Sequence, residues 1–147
     1  MPEQQTIVLR GRELVRGALA ALGLSDEAVD EGLVMASELI TNALRHAHGP
    51  YELRLYHWSR LVVCEVVDGL DVLPPISDGE ISSLSLEDID SIDDPALLEG
   101  GRGLAVVHRL SQGRCGARFT EMYAVGRLSR GKAVWFAIDT HERRGER

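Results

Sequence analysis

Two kinds of hydrophobic spacing meet at Gly49-Pro50, and that junction restricts the fold more than any other feature of the chain. Before it, Val29, Leu33, Ala36, Leu39 or Ile40, and Ala43 or Leu44 recur every three or four residues, the period of one helix face. After it, Tyr51, Leu53, Leu55 and His57 alternate with Glu52, Arg54 and Tyr56, the period of a strand. A second strand-like run follows over residues 61–67, with Ser59-Arg60 between the two as a hairpin turn. A helix that runs straight into a hairpin calls for a layer of helices on one face of a sheet.

The remaining elements extend this pattern. Residues 6–22 read as a first helix with Val8, Leu14, Val15, Ala18, Leu19 and Leu22 on its apolar face and Gly23 as its stop. Ser25 is an N-cap for the second helix, with Asp26 and Glu27 in the first turn, where carboxylates suit the dipole. That helix is expected to run to Arg45 or His46 and to end at Gly49-Pro50. Asp68-Gly69 closes the second strand. Gly100-Gly101-Arg102-Gly103 opens a third helix over about residues 104–111, and strands over 117–125 and 132–139 are joined around 129–131. The expected architecture is an α+β two-layer sandwich: a mixed, mostly antiparallel sheet covered on one face by helices.

With 147 residues and 44% hydrophobic content, residues 1–147 form one domain with enough apolar material for a core. No run of about 18 apolar residues could span a membrane, and the N-terminus lacks the basic and apolar regions of a secretion signal, so a cytoplasmic protein is expected. The formal charge of −7 is unevenly placed: residues 61–101 carry eleven acids and no base, eight of those acids within residues 77–99. That weighs against the broadly positive surface that duplex DNA calls for, and direct nucleic-acid binding is not expected. Cys64 and Cys115 match no metal or redox spacing. Cys64, inside Leu61-Val62-Val63-Cys64, reads as a small buried hydrophobe.

Three segments carry the residue types of a reactive site. Glu38 and Asn42 lie one helical turn apart, with His46 a turn further along the same face. Asn offers a neutral oxygen suited to Mg²⁺ and Glu a general base. At the end of a strand, Asp68 can accept a hydrogen bond from an exocyclic amine, and Gly69 lets a flat ring approach the backbone. Gly100-Gly101-Arg102-Gly103-Leu104 places glycine amides at a helix N-terminus, an anion cradle. It is neither a Walker loop nor a dinucleotide-binding fingerprint.

In this order the segments resemble the Bergerat ATP-binding fold, shared by DNA gyrase, chaperone ATPases, mismatch-repair ATPases and histidine kinases. In detail they are similar to the small anti-sigma-factor serine kinases of actinobacteria. Glu38-Leu39-Ile40-Thr41-Asn42-Ala43-Leu44-Arg45-His46-Ala47 resembles the N box of that family. Val66-Val67-Asp68-Gly69 resembles the first glycine box, residues 100–104 the second, and Gly131-Lys132-Ala133-Val134-Trp135-Phe136 the last strand box. The resemblance implies that Asn42 coordinates Mg²⁺ on the phosphates of ATP and that Glu38 activates a serine hydroxyl of a partner. It implies that Asp68, beside Gly69, binds the adenine amine, and that Gly101, Arg102, Gly103 and Leu104 surround the phosphates. Arg45 and His46 are expected at the phosphates or the pocket mouth. Two positions depart from the family pattern: Asp71 near the place of a second glycine, and Ala133 where a hydroxyl residue lies near the adenine. The acidic residues 70–99 fall in the position of the ATP lid, and residues 140–147 form a flexible tail.

Two functions of different classes follow. One is an ATP- and Mg²⁺-dependent protein serine/threonine kinase that phosphorylates an anti-sigma antagonist and binds a sigma factor. The other is a non-catalytic, partner-binding switch with a degenerate pocket. The catalytic domain of a histidine kinase is a weaker third, because no phosphoacceptor helix pair precedes the fold. A homodimer, with an interface on the first 25 residues, is in keeping with such regulators.

Overall fold

The computed structural model describes residues 2–69, 101–124 and 126–141. Among these residues, three helices, α1 (Pro2–Ala21), α2 (Asp26–His46) and α3 (Gly101–Leu110), lie on one side of four strands: β1 (His48–Trp58), β2 (Leu61–Gly69), β3 (Cys115–Ala124) and β4 (Arg127–Asp139). The strand order is β1-β2-β4-β3, and every pairing among the described residues is antiparallel, in keeping with the expected mostly antiparallel sheet. The expected lid (70–99), Asp71 within it, and residues 142–147 of the tail lie outside the described residues.

Local chemistry accounts for the element boundaries. Ser25 is extended at φ −63°, ψ 158°, and its hydroxyl accepts from the Ala28 N–H at 3.1 Å, which starts α2. Gly49-Pro50 does not terminate that helix. Ala47, already extended, is the C-cap, and the Gly-Pro pair sits within β1 at a register irregularity between His48 and Tyr51. Proline, lacking an N–H, is tolerated there because β1 is an edge strand. The β3–β4 turn also differs from expectation. It lies at Gly126, whose φ of +72° favours glycine, while Ser129, Arg130 and Gly131 are in the ladder opposite Met122, Glu121 and Thr120.

α2 is the central helix, and it buries the face its spacing predicts: Val29, Leu33, Ala36, Leu39 and Ile40, together with Met35. Against it pack Val62, Cys64 and Val66 of β2, Phe136 and Ile138 of β4, Val107 of α3, and Val15 and Leu19 of α1. Each large side chain buried this completely contributes about 1.5–3 kcal/mol. Leu14, expected on the apolar face of α1, is instead 62% exposed.

The other face of the sheet has its own organisation. Glu65 points there and is fully buried. Arg118 grips it with two hydrogen bonds, Nε to Oε2 at 2.7 Å and Nη2 to Oε1 at 2.9 Å. Arg54 of β1 lies 3.6 Å from the same carboxylate and reaches on to β3, donating to Thr120 Oγ1 at 2.9 Å and to the Glu121 carbonyl at 2.6 Å. A flat sheet would hold β1 and β3 about 14 Å apart, three strand spacings. The sheet is therefore curled at this end, and Arg54 spans the curl.

Burial, and secondarily the charge of Glu65, pushes the Cys64 thiol up to about 12. A thiol that resists ionisation in the folded state but ionises in the unfolded chain favours folding below its ordinary range and loses that advantage as pH rises. Stability is expected to fall between about pH 9 and pH 12 in urea titrations, and Cys64→Ala should flatten that fall. An unchanged slope in the variant would remove Cys64 as its source.

Candidate nucleotide site

The site lies where α2 crosses the end of β2, the middle of β4 and the start of α3. Glu38 is half-buried on α2, and its carboxylate lies against α3: a Cβ built on Gly103 would collide with Glu38 Oε1. Gly103 leaves the room this placement of the carboxylate takes, so the glycine box and the N box are in direct contact here.

One turn beyond Glu38, Asn42 lines a cavity of about 40 Å³ together with His46, Asp68 and Lys132, walled by Leu39 and Val134. Asp68 is 2% exposed. Three of the residues singled out in the sequence, Asn42, His46 and Asp68, therefore share one cavity. Gly69, next to Asp68, pairs with Gly131 across the β2–β4 ladder. Gly101 and Arg102 form the first turn of α3 with Gly103. Leu104 is buried among the core residues, where it anchors α3.

Arg45 is placed elsewhere. It is exposed and lines a groove between α1 and α2 with Gln4, Gln5 and Thr41, a cavity separate from that of Asn42 and Asp68. The helical step explains this: i+3 from Asn42 turns the side chain toward α1, whereas i+4 leads to His46.

Ala133 is corrected outright. It faces the other side of the sheet, in a small cluster with Val67 and Met122. The residue directly opposite Asp68 is Lys132, whose Nζ lies 4.0 Å from Asp68 Oδ2. Strand alternation carried this signal: Lys132 shares its parity with Val134 and Phe136, which face the helices, and Ala133 does not. Lys132 is the site residue that motif reading missed.

With the geometry in view, the comparison with known families is informative. Residues 2–113 match the histidine kinase-like ATPase domain, and the chain belongs to that family. No curated protein matches it. Membership makes ATP, usually with Mg²⁺, the ligand to test against this site. The residues fit it: a buried carboxylate for an amine, an amide oxygen one turn from a carboxylate, and a helix start whose Gly103 leaves room beside Glu38. Among the described residues no group of three His, Cys, Asp or Glu side chains converges on a point. Mg²⁺ needs none, since it is commonly held by one or two protein ligands together with phosphate oxygens. No helix among the described residues is long and apolar enough to cross a membrane.

Proposed function

We propose that the protein is an ATP-binding regulatory kinase of the anti-sigma-factor type, which phosphorylates a serine of an antagonist protein and also binds a sigma factor. The observation that carries this reading is the contact between Glu38 and Gly103, which puts a candidate base beside the helix start expected to hold phosphates. When bound, ATP supplies the phosphoryl group and Mg²⁺ offsets its charge. Asn42 would hold the metal ion through its amide oxygen. Asp68 accepts the adenine amine, and the first turn of α3, Gly101 to Gly103, faces the phosphates. Glu38 would take the proton of the serine hydroxyl as that oxygen bonds to the γ-phosphorus of ATP and the bond to the β–γ bridging oxygen breaks, releasing ADP. His46, exposed at the end of α2, borders the mouth of the cavity. Such a protein acts in the cytoplasm in transcription regulation, and a second copy of the chain is a further partner.

A specific observation favours a second reading, a partner-binding switch without catalysis: the cavity beside Asp68 is small, and Lys132 lies against the carboxylate. Labelled ATP and Mg²⁺ incubated with the cognate antagonist separate the two. The kinase reading expects label on the antagonist, a loss of at least about 100-fold in Glu38→Ala, the usual scale of general-base catalysis, and loss of ATP binding in Asn42→Ala. ATP binding without transfer would select the switch.

A further inference from the structure

Lys132 stands where a base would have to meet Asp68. The two residues are direct partners across the β2–β4 ladder, with Nζ 4.0 Å from Oδ2. The carboxylate is almost wholly buried, whereas the lysine side chain is 41% exposed and ends a flexible four-carbon stem. The cavity they share with Asn42 measures about 40 Å³. Small-molecule sites usually hold ~300–1,000 Å³. Leu39 and Val66, which wall the cavity, are buried in the core, and Asp68 is fixed on β2. Lys132 has both the reach to cover the carboxylate and the freedom to leave it.

We infer that Lys132 is a built-in competitor for Asp68, a specificity-determining residue that closes the base pocket and must swing into solvent before a nucleotide enters. The inference rests on the reading of this cavity as a nucleotide site and adds a regulation to it. An ammonium and the exocyclic amine of an aminopurine are both donors, and they compete for the same carboxylate. Apparent affinity is then reduced by the fraction of molecules in which Lys132 has withdrawn. Triphosphate without a base has no need of Asp68, so the competition acts on the base alone. The sign is distinctive. In a chain of net charge −7, removing a lysine should weaken the binding of a polyanion. Here it strengthens the binding of ATP.

The test is calorimetric titration of the full chain with Mg²⁺-ATP and, separately, with inorganic tripolyphosphate, for the wild type, Lys132→Thr, Lys132→Gln and Lys132→Arg. Threonine suits a strand and removes both stem and charge; glutamine keeps the stem and guards against a folding defect in the first variant, which thermal melts of the ligand-free proteins will show. The expected result is ATP binding about tenfold tighter in Lys132→Thr, a smaller gain in Lys132→Gln, and wild-type affinity in Lys132→Arg. Tripolyphosphate should bind no tighter in any variant. If the wild type binds ATP and folded Lys132→Thr and Lys132→Gln bind it no better, the competition is overturned. Equal gains for ATP and tripolyphosphate also overturn it, because the base is then not involved. If no variant binds ATP at millimolar concentration, the nucleotide reading itself fails, and the inference with it.

Discussion

Replacing Arg118 with methionine is expected to destabilise the protein by about 3 kcal/mol, the scale of a buried ion pair that loses one partner. Glu65 is fully buried and receives both of its short hydrogen bonds from Arg118. Without them its charge is left to the Tyr56 hydroxyl beside it and to Arg54 at 3.6 Å, whose guanidinium is already engaged by Glu52, Thr120 and the Glu121 carbonyl. The converse change, Glu65→Met, should be milder, about 1 kcal/mol, because the two arginines it releases are partly exposed and can turn to water. Urea denaturation of the two variants measures the difference. If Glu65→Met proves the more damaging, the carboxylate acts as packing rather than as a charge that must be met.

Gly131→Ala should lower stability by about 1–3 kcal/mol, the range for overpacking a filled site, and should weaken nucleotide binding at the same time. A Cβ at Gly131 would lie 2.7 Å from the Asp68 carbonyl oxygen, 2.8 Å from Met122 Sδ and 3.0 Å from Val67 Cγ1. Met122 can shift, but the Asp68 backbone belongs to the β2–β4 ladder. Relief therefore comes from parting β2 from β4 at Asp68, the residue proposed to read the base. Stability and ligand affinity should fall together in this variant, as followed by melting and calorimetry. A loss of stability with ATP affinity intact would show that the strands accommodate the methyl group away from Asp68.

The layer of helices over an antiparallel sheet could be read from the sequence because each element carries its own period. The N-cap at Ser25, the buried face of α2 and the Ser59-Arg60 turn all follow from local rules. Other features depend on contacts that local patterns do not contain. Gly131 reads as a turn marker in sequence, yet its place is set by the close passage of β2, which no window around residue 131 contains. Arg54 alternates as an ordinary outward residue of β1, and only the curl of the sheet brings Thr120 and Glu121 within its reach. The site shows the same division. Asn42, His46 and Asp68 sit on elements whose ends were legible, and the fold gathers them. Lys132 was hidden by motif matching, which looked for a hydroxyl one position too far along the strand, although alternation alone selects it.

The pairing of β2 with β4 also bears on how the protein assembles. Helical turns and the two hairpins form from neighbours in sequence, but Gly69 meets Gly131 at a sequence separation of 62. Closing so long a loop loses entropy before any contact returns it, and such pairings govern the speed of folding. The two hairpins can thus exist before the seam between them closes, and Asp68 faces Lys132 only once it has closed. A ligand held between them would brace the last-formed part of the structure, so the nascent chain acquires its capacity to bind in a single late step rather than residue by residue.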